Sequence, residues 1–462
     1  MLVASTLLTV VVVIGLKNRR PFVGVPTPEN LSRLDPQLRD YVNQQLNWVG
    51  RVPNDPERQA TLGLVYAANL LWPEALQCFS NYTRLNPLDP LGQIYLAVAV
   101  QEVGNYAEAL QRFRHIAQEF PDFAPAQDRL GTALLRSGAV EEAQEVFRQM
   151  IKVAPGEWRG YAGLGESRLR LNAFSEAAEF LERARSLEPG SRLVHHLLGN
   201  AYRGLGRNQE AEWELRLGLN SEQSPMPDPW GLSAPKHVRL LPRQIELADE
   251  YVAAGKVDEA IRILGEALKY HPDNLTVLEH LSIASREMGQ FEKAQQFARR
   301  MIELDNRSVK AHVLMADACL DLGLHDQALK HANLADELGP DLPQPCLVKA
   351  DALFAIGRIE DGLAARKEAL RRDPQNPLIV LDIGDALLRM RNDPRSAKEF
   401  FEKAAQMDPT LAPAHVRLAE AAILLNDFGE ARHSLDMAKK LEPDMPALAG
   451  LEARLHEAKD AK

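Results

Sequence analysis

Carboxylates recur along the C-terminal half of this 462-residue chain at a nearly fixed interval. Asp317, Asp351, Asp385 and Glu420 each follow a small residue directly, in steps of 34, 34 and 35. Asp249 stands in the same place after Ala248, and Glu166 and Asn200 do so after Gly165 and Gly199. A row of acids at one spacing can accept hydrogen bonds from the amines or guanidinium groups of a ligand; the alternative is that these are ordinary solvated residues bonding across to adjacent helices. Asp321 lies four residues beyond Asp317, on the same side of a helix, which concentrates negative charge around Asp317, Asp321 and Asp351. Phe354 is close by as an aromatic anchor. By the same spacing rule, Glu166 meets Arg170 and Asp385 meets Arg389, and each pair neutralises itself.

No other residues have the spacing of catalysis. The chain has no Gly-rich phosphate loop after a strand, no His/Cys/Asp cluster at metal spacing and no nucleophile elbow, so neither a cofactor nor an enzymatic reaction is expected. His195 and His196 are adjacent on a helix and point two ways, which suits no shared metal. His271, His312, His325 and His331 scatter along the chain and read as surface residues. Cys78, Cys319 and Cys346 lie far apart without CxxC spacing and read as small apolar core residues. The 54 basic and 64 acidic residues give a net charge of −10. With no basic run interleaved with aromatics, nucleic acid is not an expected partner.

The elements that position the acids announce themselves by repetition. Ala75, Ala109, Ala143, Ala177, Ala211, Ala260, Ala294, Ala328, Gly362, Ala397 and Ala431 are separated by eight steps of 34, one of 35 and one of 49. Twelve residues before most of them stands another small residue, from Gly63 and Ala97 to Ala350 and Ala419; Gly384 comes one position early. Small side chains at both places let two helix backbones approach closely. Five residues before the landmark comes Gly or Asn, from Gly104 and Gly138 to Asn392 and Asn426, able to take the left-handed conformation that ends a helix. Twelve residues after it, nine units carry proline, from Pro87 to Pro443, which ends the second helix. Apolar residues follow helical spacing, and no segment alternates long enough for a sheet. A fixed period of this length predicts stacked two-helix units, each burying its apolar face only against its neighbours.

The pattern resembles the tetratricopeptide repeat family: a Leu-Gly pair, a later Ala-x-x-x-Phe, and a closing Pro. Leu130-Gly131 with Ala143, Phe147 and Pro155 fits it, as do Leu164-Gly165 and Leu198-Gly199. Ala298, Ala332 and Arg366 depart from it at the bulky position, and Lys349 at the leucine. The resemblance covers roughly residues 53 to 443. It implies an all-α, right-handed α-solenoid, a superhelix of about eleven helix-turn-helix units. It also implies that first helices line a concave groove into which the residue after the small packing residue points. That column reads Leu64, Val98, Thr132, Glu166, Asn200, Asp249, Ile283, Asp317, Asp351, Asp385 and Glu420, apolar at first and acidic at the end. The family's Lys and Asn grip on a terminal dicarboxylate is not matched, because only Asn200 falls in the column.

Outside the repeats, Leu2 to Leu16 form an uncharged apolar run followed by Lys17, Arg19 and Arg20. As a helix the run would cover roughly 22 Å of a hydrocarbon core roughly 30 Å thick. With no basic residues before it and no small-x-small site after it, it reads as an uncleaved single-pass membrane anchor over residues 1–17. The basic flank places the repeats in the cytoplasm, with an extracytoplasmic placement as the alternative. Residues 18–52 read as a tether and a capping helix, the latter over Gln37–Val49. Units 1–5 fill residues 53–220 and units 6–11 fill 242–443. The excess of the 49-residue step falls at 221–241, where four prolines and a glycine argue against a regular helix. Its Trp230 either lies in the groove, holds a partner, or caps the core at a crossover between two halves. Residues 444–462 read as a closing helix with Leu448, Leu451 and Leu455 inward.

The functional expectation is a membrane-tethered scaffold or adaptor that takes a protein or extended peptide, basic in character, in its groove. A short anchor, basic residues and cytoplasmic repeats are similar to the lipopolysaccharide assembly protein B family, which would imply envelope assembly or quality control. That family ends in a four-cysteine metal module and Leu451–Lys462 has none, so the role is not carried over. The alternatives are a substrate-presenting accessory subunit of an enzyme and a purely structural spacer.

Overall fold

The computed structural model describes residues 23–443 and 445–460. Among them are twenty-five α-helices and two short 3-10 helices, and no strand. The anchor expected over residues 1–17 lies outside the described residues. Among those described, no helix is long and apolar enough to cross a membrane.

The chain divides into two compact parts, residues 1–244 and 245–462. The first opens with helix Pro36–Gly50, capped by Asp35 and buried through Leu38, Val42 and Val49. Five hairpins follow, from Pro56–Ala68 with Trp72–Leu85 to Arg192–Gly204 with Asn208–Leu217. Helix Leu241–Ala253 straddles the division and pairs in sequence with Val257–Tyr270. The second part continues with five more hairpins, from Leu275–Glu287 with Phe291–Leu304 to Ala412–Leu424 with Phe428–Leu441. It closes with helix Pro446–Asp460, whose Leu448, Leu451 and Leu455 are buried as expected.

The repeated residues do what their types allow. Each expected Gly or Asn stop has positive φ, from Gly104 at 92° to Asn426 at 60°. In the first hairpin Leu70 takes that conformation, at 63°, in the place of a Gly or Asn. The landmark residues, ten alanines and Gly362, are buried in every hairpin. A Cβ on Gly131 would come within 2.5 Å of the Phe147 ring, and one on Gly384 within 2.5 Å of Phe401. The small residue is therefore the socket for the bulky residue four after the landmark. The departures from this pattern are packed differently. Ala298 shares a buried cluster with Met301, Met315 and Cys319. In the ninth hairpin the roles are exchanged: the Phe354 ring fills the space that a Cβ on Gly362 would need, 2.5 Å away, and the largely buried Arg366 reaches Asp351 and Asp382 on the neighbouring first helices.

A second repeating device was hidden in the sequence. Sixteen residues before the landmark, a side-chain donor reaches back to the carbonyl six residues earlier: Gln59 to Pro53, Gln93 to Pro87, Gln127 to Pro121, Tyr161 to Pro155, His195 to Pro189 and His312 to Asn306. His415 does the same to Pro409. Each bond satisfies a carbonyl at the joint between hairpins that no helix can reach. This corrects the surface reading of His312, which is buried and also meets His331 at 3.0 Å.

Residues 23–28 are not a free tether. The Val23 amide donates to Asn54 at 3.2 Å, Asn81 donates to the Gly24 carbonyl at 2.9 Å, and the buried Tyr66 hydroxyl donates to the Pro26 carbonyl at 2.8 Å.

Candidate functional site

The first helices of the hairpins form the inner face of each part, and the column of sequence-predicted residues lies on them. In the first part that face is occupied. Residues 223–240 run along it against the repeat order, from the fourth hairpin back to the capping helix. Arg159 Nε donates to the Ser224 carbonyl at 3.0 Å, and the Met226 amide donates to the buried Asp128 carboxylate at 2.9 Å. The Tyr95 hydroxyl donates to Asp228 at 3.0 Å. Trp230 is half-buried against Phe79, Tyr82 and Tyr95, with ring centroids 5.9, 5.1 and 5.1 Å away. Asn69 accepts from the Arg239 and Leu240 amides at 2.6 and 2.8 Å and donates to the His237 carbonyl at 2.8 Å. Tyr41 meets His237 Nδ1 at 2.8 Å.

The segment itself contains a five-residue helix, Pro229–Ser233, and a 3-10 turn, Ala234–His237. The prolines permit this because Pro229 takes the first helical position, where no amide is needed, and Asp228 accepts from the Trp230 and Gly231 amides. Trp230 packs on the core rings Phe79, Tyr82 and Tyr95, contacts that suit a cap on the core as well as a place in the groove. Burial raises the Asp128 carboxyl above its usual range, and burial and the neighbouring Asp228 raise the Tyr95 hydroxyl. Of the predicted column in this part, Glu166 pairs with Arg170 at 2.8 Å as expected, and Asn200 accepts from Arg203 at 2.7 Å. The residues that hold the segment, Asn69, Tyr95, Asp128 and Arg159, lie outside that column.

In the second part the predicted acids come together with arginines. Arg286 bridges Asp317 at 3.0 Å and Asp321 at 2.6 Å. Arg366 bridges Asp351 at 2.5 Å and Asp382 at 2.8 Å, and its guanidinium lies 5.7 Å from the Phe354 ring centroid. Arg417 bridges Asp385 at 2.8 Å and Glu420 at 3.0 Å. Asp249 meets His280 at 3.1 Å. Two expectations are corrected here. Asp385 takes its partner from the next hairpin and not from Arg389 four residues on, and the charge at Asp317 and Asp321 is shared by Arg286.

Pairing with arginines does not restore the ordinary acidity of these carboxyls. Burial raises Asp317 to about 6, with Asp351 and Asp321 adding to the shift against the pull of Arg286. Asp351, Asp382 and Asp385 are raised by burial too, against their arginines. Asp351, Phe354, Arg366, Asp382, Asp385 and Arg389 bound an open recess of about 420 Å3, to which Met390 and Arg417 also contribute. No group of three or more His, Cys, Asp or Glu among the described residues could hold a metal ion.

Stacked helix hairpins of this kind define an all-helical repeat protein. Its repeats are tetratricopeptide repeats: family models of that description match residues 101–164, 388–455 and 347–412. A model described as anaphase-promoting complex, cyclosome, subunit 3, matches residues 253–335. The chain is 25% identical over 236 residues to cellulose synthase operon protein C of Pseudomonas fluorescens, over 47% of this chain and 18% of that protein. It is 21% identical over 224 residues to the protein O-mannosyl-transferase TMTC1 of Homo sapiens, over 46% of this chain and 23% of that protein. The chain thus spans less than a quarter of the length of either curated relative. Yeast Tom70 is similar in fold, at 14% identity over 88% of this chain and 96% of that one, with a TM-score of 0.42.

Proposed function

We propose that the chain is a scaffold, without a reaction of its own, that holds an extended segment of a partner protein on the inner face of residues 245–462. The segment carries lysine or arginine side chains. The observation that carries this reading is the row of half-buried acids Asp317, Asp351, Asp385 and Glu420 on successive first helices, beside an open recess. A cationic side chain entering the recess would compete with Arg366, Arg389 and Arg417 for Asp351, Asp382 and Asp385, and Phe354 and Met390 supply apolar surface for its stem. Tetratricopeptide repeat proteins bind protein or peptide partners, which supports the same class of role.

The test is direct. A labelled lysine-rich peptide should bind the full chain, lose most of its affinity in the double variant Asp351→Lys, Asp385→Lys, and weaken as salt rises. A glutamate-rich peptide that binds as well, or a lysine-rich one indifferent to the double variant, overturns the reading in favour of a spacer.

The scaffold is held at a membrane by Leu2–Leu16, a reading supported by the apolar composition of that run and its basic flank. Because Val23 is fixed to Asn54, the first hairpin would stand no more than about 25 Å along the chain from the end of the apolar run. Alkaline carbonate extraction should leave the full chain in the membrane pellet and release a variant lacking residues 1–22. Release of both removes the anchor from the reading.

A further inference from the structure

Residues 223–240 are held as a bound peptide is held. Most of the bonds from the inner face go to their backbone: the Ser224 and His237 carbonyls and the Met226, Arg239 and Leu240 amides. Backbone bonds of this kind follow the path of a chain whatever its side chains are. The central side-chain anchors are Asp228 under the Tyr95 hydroxyl and Trp230 among Phe79, Tyr82 and Tyr95, while at the far end the His237 ring and Arg239 lie against Tyr41. Along residues 223–240 only Asp228 and Val238 are buried, and Leu232 is 71% exposed. A structural element of the repeats behaves differently: helix Tyr106–Glu119, for example, buries four side chains, Ala109, Phe113, Ile116 and Ala117. The segment thus buries few side chains of its own; Met226, Trp230 and Leu240 rest on a core whose hairpins also hold one another through their own alanine and phenylalanine sockets.

We propose that the inner face of residues 53–220 is a second binding site, built for a proline-rich segment in which an aspartate caps a short helical turn carrying a tryptophan two residues later. Residues 223–240 are its resident ligand, and a partner segment of the same chemistry displaces them. The site differs from the acidic face of the second part in every recognising group, and it stands whether or not that face binds cations. Covalent connection gives the resident segment an effective concentration on the order of millimolar, so a competing partner must bind well below that to enter. This makes the face a gated site: closed by default, and open to a partner that offers the acid and the aromatic ring together.

The experiment uses the full chain and a fluorescent peptide of residues 221–240. In the double variant Asp228→Ala, Trp230→Ala the resident segment loses both central anchors. That variant should keep the helical circular dichroism of the natural chain and bind the labelled peptide at least 100-fold more tightly than the natural chain does, a ratio of the order the effective concentration implies. A peptide carrying Asp228→Ala and Trp230→Ala should fail to bind either. A second full-length variant, with residues 223–234 replaced by a Gly/Ser stretch of equal length, should behave like the first. A folded, emptied chain that ignores the peptide overturns the proposal. So does equal binding by the natural chain, and so does loss of helical signal in both variants, which would make the segment part of the core.

Discussion

Along residues 53–220 the first helices present Asn69, Tyr95, Asp128 and Arg159, and each directs its hydrogen bonds to residues 224–240, mostly to their backbone. Along residues 245–462 the first helices present Asp317, Asp351, Asp385 and Glu420, and each pairs with an arginine side chain. One face is tuned to the course of a polypeptide and is filled; the other is tuned to charge and keeps a recess open. The lesson is that one repeating backbone can carry two modes of recognition. The packing alanines and phenylalanines fix the scaffold and leave the inner positions free to differ.

The largest expected effect that would break this contrast is at Asn69. Asn69→Ala leaves two amides and a carbonyl of residues 237–240 without their partner, at a cost of about 3 kcal/mol in segment docking. Amide hydrogen exchange at Arg239 and Leu240 should accelerate strongly while the helices of the second part stay protected; unchanged protection would mean that the segment is not held by its backbone.

On the other face, Arg366→Met strands Asp351 and Asp382. Both acids keep some contact with solvent, so the loss is nearer about 2 kcal/mol than the value for a fully buried pair. Urea unfolding reads it, and an unaffected second part would show that the arginine row is ornamental.

Acid should act in the opposite sense from the usual one. Asp317 has a folded value of about 6, above the roughly 3.9 of a free aspartate, so the folded state holds the proton more tightly and stability rises as pH falls from about 7 toward 4. Asp317→Asn, which removes the ionised form, should be more stable than the natural chain at pH 7 by about 1 to 2 kcal/mol, and the advantage should shrink by pH 4. An advantage independent of pH would refute this origin. The smallest effect belongs to Glu166→Gln in the first part, where a partly exposed pair with Arg170 contributes about 0.5 kcal/mol or less, readable only as a slight shift in urea midpoint.

The sequence carried the hairpins because their chemistry is local and repeated. Gly104, Asn172 and Gly323 stop helices for reasons confined to their own dihedral angles, and Gly131 and Phe147 lie sixteen residues apart within one hairpin. The occupied face was not legible in the same way. Its bonds join Asp128 to Met226 and Asn69 to Leu240, residues that occur once and share no column. Asp385 was read with Arg389 because spacing along a helix is visible in a sequence, whereas the approach of Arg417 from the neighbouring hairpin is not. His312 could have been found: it stands in the column of Gln59, Gln93, Gln127, Tyr161 and His195, and that company marks a buried donor.

That column also sets how the two parts should yield to force. All five hairpins of the first part carry a side-chain strut across the joint behind them. In the second part His312 and His415 brace their joints, but Leu278, Cys346 and Val380 occupy the same place and offer no such bond. Under tension the joints of the first part should therefore hold through these struts, whereas those of the second part should lean on the arginine bridges between hairpins, Arg286 to Asp317, Arg366 to Asp382 and Arg417 to Asp385, and soften as salt screens them.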